Sequence, residues 1–422
     1  MKIEEYHNVL SILKGIIKNS EYENHVFTVG GCVRDSLMNN HYIKDIDIVV
    51  DLPNGGIEFA EWLYKNNYLV RKPIIYPTYG TSMFSLAILP DIELEAVETR
   101  KEQYKDKSSR NPEVKYGSLQ EDCMRRDLTI NALYYDITND NVIDLINGVN
   151  DINNHIIQAP SDPDIIFDDD PLRMLRVCRF SARYGWDIQE KTLNSIKKNA
   201  HRIKIITQER ITDEMIKSLT IAKQAGELFK LWKECGLTDY ILYISDDNDI
   251  LISQLNILSN NYGTAEQYFA ALFHNHLDLL SNMKLSNDFI YTVNKLDESL
   301  VFVDTKITDY SVRKFGLFNG KDYRICISYL ASWCLTPQIH KLKWFNDFFK
   351  KSLILESDNT MFDDSTKLPI NGNDIMEYFN INPSKKVHEY LDYAWDYYCK
   401  NPNIGKGEIL DALKNELFDK NL

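Results

Sequence analysis

The chain changes its hydrophobic rhythm about a third of the way along. Between residues 25 and 145 the apolar runs are short: "HVFTV", "DIDIVV", "SMFSLAIL" and "IELEAVET". Gly, Pro and Asn separate them, which predicts strands and turns mixed with helices. Ahead of them, "MKIEEYHNVLSILKG" reads as a polar amphipathic helix rather than a signal peptide. After "NGVNDINNHIIQAP" the period lengthens. Residues 171–422 carry helical patterns such as "DPLRMLRVCRFSARYG" and "NSIKKNAHRIK", with few convincing strands. The expected architecture is an α/β head followed by an all-helical remainder, in which "SDNTMFDDSTKLPINGND" (357–374) is a loop or linker before a last helical piece.

Composition narrows this picture only slightly. A chain of 422 residues with 44% apolar content can bury several cores, and two to four domains are expected. No apolar run approaches the roughly 20 residues of a membrane span, so no membrane partner and a cytoplasmic location are expected. The seven cysteines are scattered without a Cys-x-x-Cys pair, which predicts buried thiols rather than a disulfide framework or a zinc knuckle. The formal charge of −14 argues against indiscriminate nucleic-acid binding but leaves room for a local basic groove.

Candidate chemistry concentrates in "TVGGCVRDSLMNNHYIKDIDIVV" (28–50). Residues i and i+2 of a strand share a face, so Asp45 and Asp47 are expected side by side, with Ile46 and Ile48 turned to the core. Two close carboxylates call for a cation, and hard oxygen ligands suit Mg²⁺. Upstream, "VGG" ends a strand and "CVRDSLM" starts a helix, so backbone N–H groups at Gly30 and Gly31 can approach a phosphate. Each feature alone is more often structural; together they point to a metal and a triphosphate. Further on, "DPLRMLRVCRF" repeats Asp170, Arg173, Arg176 and Arg179 at a spacing of three, while Leu172, Leu175 and Phe180 can face a core. A solvated basic face is the alternative. Arg125 and Arg126 could hold phosphate, or could pair with Glu121 and Asp122 at helix spacing.

"GGCVRD" followed by "DIDIVV" resembles the first signature of the nucleotidyltransferase superfamily, in its tRNA CCA-adding and bacterial poly(A) polymerase branch. Matches follow in the family's order over roughly the first 220 residues. "RRDLTINALYYD" (125–136) resembles the second signature, "DLINGVNDI" (144–152) the hinge, "DDPLRMLRVCRFSARYG" (169–185) the nucleobase-reading helix, and "ERITDEMIK" (209–217) the segment that braces it. The resemblance implies a polymerase beta-like head with a mixed sheet (1–150), a helical neck (151–220), a helical body (221–356) and a helical, tRNA-binding tail (357–422).

It also implies an activity: template-independent addition or repair of the 3′-terminal CCA of tRNA from CTP and ATP. The RNA 3′-hydroxyl would attack the α-phosphorus in line with two Mg²⁺ ions and no covalent enzyme intermediate. Asp45 and Asp47 would be catalytic metal ligands. The third carboxylate would be Glu95, five residues before Arg100, with Glu93 left as the alternative. Gly30, Gly31, Arg34, Arg125, Arg126 and Asp127 would bind the nucleotide's phosphates and ribose, and Asp170, Arg173, Arg176 and Arg179 would complete the nucleotide site. Cytosine and adenine each present an amino donor beside a ring-nitrogen acceptor, which a fixed acceptor and donor, Asp170 and Arg173, can read. Many relatives have Glu-Asp where this chain has Asp169-Asp170, a change that shortens only the first side chain.

"RKEQYKDKSSRNPEVKYGSLQED" (100–122) is polar and turn-rich, as expected of a mobile loop, and the family uses a segment here to switch from C to A. Its length favours full CCA addition over CC addition. His274 and His276 fall in no His-Asp dipeptide, and the phosphohydrolase domain of some relatives is not apparent. Lys385 and Lys386 could grip an RNA backbone or begin a solvated helix. The rivals are a poly(A) polymerase, a CC- or A-adding enzyme, and an inactive RNA-binding relative. "DLPNGGIEFAEWLYK" stands where many bacterial poly(A) polymerases carry a long basic segment, and an inactive relative would be expected to lose Asp45 or Asp47. Oligomeric state is left open.

Overall fold

The computed structural model describes residues 1–103, 113–242 and 249–419. They fold as two compact units, Met1–Lys223 with Glu227–Ser245, and Gln224–Gly226 with Asp246–Leu422. All strands among the described residues lie in the first unit, as the change of rhythm predicts. The segments expected as head and neck belong to this one unit.

The first unit is built on a seven-stranded sheet. Its strands are β1 (Val26–Val29), β2 (Ile46–Val50), β3 (Ile74–Tyr76), β4 (Thr81–Leu86) and β5 (Leu89–Glu98), then β8 (Tyr134–Asp136) and β9 (Asn141–Ile143), in the order β3-β4-β5-β2-β1-β8-β9. Between them β6 (Arg100–Gln103) and β7 (Glu113–Tyr116) form a separate antiparallel ribbon. β2 and β5 run parallel while the remaining pairs are antiparallel, so the sheet is mixed as expected. The helices of this unit include α1 (Ile3–Ile17), α2 (Gly31–Leu37), α3 (Gly55–Lys65), α4 (Leu119–Met124) and α5 (Gly148–Asn154). These are followed by α6 (Pro163–Asp169), α7 (Leu172–Tyr184), α8 (Glu190–Asn199) and α9 (Gln208–Ile221).

Register decides which face of the sheet is wet. Phe84, Leu94 and Ile46 stand opposite one another across β4, β5 and β2, and all three are buried. α3 covers that face: Phe59 meets Phe84 edge-on at 6.2 Å. A Cβ on Gly56 would stand 2.6 Å from the Val97 Cα and 2.8 Å from the Ala96 carbonyl, so only glycine lets α3 sit this close. The neighbouring row on the other face is Met83, Glu95 and Asp47. Val49 is buried there with Phe27, Cys123 and Tyr134, with Val97 packed against them, whereas Glu95 and Asp47 stay exposed. The sheet thus presents a carboxylate row on a face closed only at one end.

The second unit is helical in its described residues. Residues 358–371 carry no regular structure, in line with the loop expected over 357–374, and precede the helix Gly372–Phe379. Ile375, Tyr390, Ala394 and Ile409 anchor the core of this last piece, and Lys385 and Lys386 begin the helix Lys385–Lys400. His274 is held by Asp297 at 2.6 Å, a satisfied histidine as expected. All seven cysteines are buried and free. No described helix is long and apolar enough to cross a membrane.

Candidate active site

β1 ends at Val29 and the chain reverses at Gly30, whose φ of +77° lies where glycine carries no side-chain penalty. The Gly30 N–H donates to the Leu133 carbonyl at 3.2 Å, which ties this turn to the second signature just ahead of β8. α2 begins at Gly31, and its first-turn N–H groups have no partner inside the helix. Gly30 and Gly31 line a cleft of about 370 Å³ together with Asp45, Asp47, Arg126 and Arg176.

Of the two aspartates expected side by side on a strand, only Asp47 lies within it. β2 starts at Ile46, so Asp45 lies just outside it, 71% exposed in its side chain and 3.8 Å from Lys44. Asp47 faces solvent from within the strand and stands opposite Glu95 of β5. The protein around Asp47 nevertheless raises its carboxyl pKa by desolvation, which Arg126 opposes and Asp45 reinforces. Glu95 is raised in the same way, by desolvation and then by Asp47 and Asp45, against the pull of Arg100. Glu93 precedes Leu94, the first β5 residue paired with β2.

Burial and neighbouring carboxylates disfavour the ionised forms of Asp47 and Glu95, a cost that a cation would relieve. Their oxygens are hard donors, suited to a divalent ion such as Mg²⁺. As the side chains stand, no three His, Cys, Asp or Glu groups among the described residues are close enough to hold a metal. Asp47 and Glu95 are aligned, whereas Asp45 leans toward Lys44.

The second signature is organised by a residue that sequence reasoning treated only as a helix-spaced partner. Ser118 caps α4 by accepting from the Glu121 N–H at 3.3 Å, and the Glu121 carboxylate is taken up by the Ser118 N–H at 2.9 Å and Lys101 at 3.3 Å. Asp122, fully buried, accepts from Arg125 Nη2 at 2.5 Å, Arg126 Nη2 at 2.9 Å, Tyr134 Oη at 2.6 Å and the Arg100 N–H at 3.3 Å. Burial would raise its pKa, but the charges of Arg126 and Arg125 win and hold it far below the usual carboxylate range. The pairing alternative is therefore realised for both arginines, through Asp122. Arg125 also donates to the Arg100 carbonyl at 3.0 Å and does not line the cleft. Arg126 does both: it is clasped by Asp122 and still faces Asp47.

Asp127 is buried between Arg176, at 2.6 Å, and Asn131 Nδ2, at 3.1 Å. Desolvation opposes its ionisation, yet Arg176 and these hydrogen bonds bring its pKa down to about 2. Asn131 accepts from Arg34 with its other amide atom, and Arg34 in turn pairs with Asp35 at 2.8 Å and lies 5.2 Å from the Phe180 ring centre. An alternating polar chain thus links α2, the second signature and α7.

α7 divides its basic residues. Arg176 and Arg179 line the cleft, Arg179 being braced by Glu214 of α9 at 2.5 Å. Asp170 and Arg173 do not line it. Asp170 caps the start of α7 through the Leu172 N–H at 3.2 Å and accepts from Arg210 of α9 at 2.9 Å, while Arg173 donates to the Ile166 carbonyl at 3.5 Å. Sequence reasoning missed Asn131, Arg183, Lys44 and Lys217, all of which line the cleft. Arg183 could have been found, since it extends the stripe of Arg176 and Arg179 by four residues; Lys217 comes from another helix and carried no such signal.

Of the segment 100–122, residues 104–112 lie outside the described residues; its ends form the β6–β7 ribbon, with Arg100 opposite Tyr116, rather than an irregular loop. The second unit holds a larger cavity, about 760 Å³, lined by Lys321, Arg324, Glu356 and residues 359–366. It brings together none of the signature segments.

Known proteins resemble this chain in sequence and in fold. Residues 26–158 match the family model described as poly A polymerase head domain, and residues 185–245 the one described as probable RNA and SrmB- binding site of polymerase A. The CCA-adding enzyme of Lactobacillus helveticus is 31% identical over 227 residues, 53% of either chain. That of Ligilactobacillus salivarius is 27% identical over 405 residues, 92% of this chain and 91% of the other. The chain spans about half the length of several curated relatives it matches. The crystal structure of the Bacillus stearothermophilus CCA-adding enzyme in complex with CTP shares the fold, with a TM-score of 0.75 at 24% identity over 97% of this chain and 98% of that one.

Proposed function

Since the chain belongs to the nucleotidyltransferase family that unites poly(A) polymerases and CCA-adding enzymes, we propose that it builds or repairs the 3′-CCA end of tRNA from CTP and ATP without a template. The observation that carries this reading is the alignment of Asp47 with Glu95 on an open sheet face, beside the Gly30–Gly31 turn and Arg126. Nucleotidyltransferases of this family generally use divalent metal ions. In this proposal Asp45, Asp47 and Glu95 hold two Mg²⁺ ions, which when bound lower the pKa of the attacking hydroxyl and offset charge on the triphosphate.

The protein's own groups do the rest. N–H groups at Gly30 and Gly31 and the Arg126 guanidinium hold the triphosphate against the carboxylate row. Arg34, Asn131, Asp127 and Arg176 form the polar wall that orients the ribose and base. Arg125 acts through Asp122, as a positioning residue for Arg126. Asp170 and Arg173 read the amino group and ring nitrogen of cytosine or adenine, which requires Asp170 to turn from Arg210 toward the cleft when a nucleotide enters. A cytoplasmic site of action belongs to the same proposal.

The test uses tRNA transcripts ending before CCA, after C and after CC, each offered labelled CTP or ATP, beside an unstructured RNA. Ordered C, C, A incorporation on tRNA is the expected result. Repeated A addition on every RNA would assign a poly(A) polymerase instead, and no incorporation would reject the transfer activity.

A further inference from the structure

The open sheet face continues past the carboxylates to an edge that the proposed chemistry does not use. Glu95 stands opposite Met83 of β4, and Met83 opposite Ile74 of β3, the outermost strand. Directly paired residues share a face, so Ile74 lies in the same row as Asp47, three strand spacings or about 14 Å away. Tyr76 shares that face two residues on. Glu93 lies on the other side of the row, toward the start of β5, whereas Tyr76 pairs with Thr81 and through it with Val97.

This edge is apolar, aromatic and basic together. Ile74, Tyr76 and Tyr79 are 47%, 43% and 66% exposed, and Tyr68 and Val70 are exposed just ahead of them. Large apolar side chains grouped on a surface mark an interaction site. Arg71 and Lys72 stand between them, both exposed, and neither forms an ion pair among the described residues. A protein strand is a poor occupant, because β3 has only three residues and lies between Pro73 and Pro77, which lack the N–H donors a further strand needs. Rings beside exposed cations suit single-stranded nucleic acid, whose bases stack and whose phosphates seek positive charge. In a chain of net charge −14, adjacent exposed cations with no ion pair among the described residues give an RNA a local positive site.

We propose that the β3 edge docks the single-stranded 3′ region of the RNA being extended, with Tyr76 and Tyr79 stacking on bases and Arg71 and Lys72 meeting phosphates. The identity of the RNA rests on the nucleotidyl-transfer reading; the surface itself does not. The row from Ile74 to Asp47 gives the strand a path to the carboxylates while Glu93 repels it from the other side.

The experiment compares the full chain with Tyr76→Ala/Tyr79→Ala and with Arg71→Glu/Lys72→Glu, exposed positions whose replacement should leave thermal melting unchanged. Binding of a tRNA transcript lacking CCA is measured without nucleotide at two salt concentrations, and CTP incorporation is resolved into kcat, KM for RNA and KM for CTP. Each variant should bind RNA about tenfold more weakly and raise KM for RNA to match, with KM for CTP unchanged. The salt dependence should flatten only in the charge-reversed variant. Unchanged RNA affinity in both variants would overturn the docking surface. If the tyrosine variant then also loses self-association in sedimentation, the edge is a protein interface. A wild-type protein that binds RNA through this edge but incorporates nothing would reject the transfer reading alone.

Discussion

Two pairs of acidic residues in the head have opposite fates. Asp47 and Glu95 face solvent, yet their carboxyl pKa values are raised; Asp122 and Asp127 are buried, yet theirs are lowered. Desolvation opposes ionisation at all four, and the neighbours decide whether it prevails. Around the first two it prevails, reinforced by Asp45 and, at Glu95, by Asp47 against a single arginine each, while the second two meet arginines, a tyrosine hydroxyl and an amide at hydrogen-bond distance. The protein satisfies the carboxylates that shape the cleft and leaves unsatisfied the ones expected to receive an external cation.

The contrast breaks most sharply at Asp47. Asp47→Asn should reduce nucleotide incorporation by about three orders of magnitude or more, the scale of losing charge stabilisation in phosphoryl transfer. It should also raise the melting temperature of the metal-free protein at pH 7, because the fold disfavours the ionised Asp47 that the amide replaces. Mg²⁺ should raise the melting temperature of the wild type and leave the variant unmoved; a variant that melts lower without metal would end this account of the carboxylate row.

Asp122→Asn should act in the opposite sense, destabilising the chain by about 3–5 kcal/mol because two arginines lose a buried partner. Urea unfolding at pH 7 measures it, and a loss below about 1 kcal/mol would mean that the arginines find other acceptors.

Asp127→Asn should cost less, about 2 kcal/mol at pH 7, from the drop of its pKa from the ordinary 3.8 to about 2. A lowered pKa contributes stability fully present above the unfolded value and lost as pH falls through the folded one. The wild-type advantage should therefore hold from pH 7 down to about 4 and disappear by about pH 2. Urea or thermal unfolding over that range reads it; an advantage that grows with falling pH would reverse the assigned sign.

The smallest effect sharpens the choice of third carboxylate. Glu95→Gln should disable incorporation nearly as far as Asp47→Asn, whereas Glu93→Gln should change kcat/KM by no more than about twofold, as for a surface site away from the reacting groups. Equal losses in the two would leave the strand register without mechanistic meaning.

The legibility of this site follows the range of the interactions that make it. The Gly30 turn and the alternation that turns Ile46 and Ile48 inward are local and could be read from spacing. The solvent exposure of Asp45 could not, because it depends on β2 starting one residue later than the apolar run suggests. Arg125 and Arg126 offered two partners at helix spacing, and only the burial of Asp122 and the capping role of Glu121 decide between them. The Arg210 contact to Asp170 joins α9 to the extended residue between α6 and α7, which no periodicity predicts. The open β3 edge is likewise a property of sheet order rather than of the strand's own sequence.

The polar chain from Asp35 through Arg34, Asn131 and Asp127 to Arg176 bears on how such a molecule could be recombined. A chimera joined near residue 150 would take Asp127 from one parent and Arg176 from the other. It would survive only where both parents kept the same alternation of charge. A junction after residue 245 leaves the whole chain of contacts in one parent. Exchange of segments among relatives is thus constrained at the hinge and freer beyond the first unit, so that α7 is inherited with the head it completes.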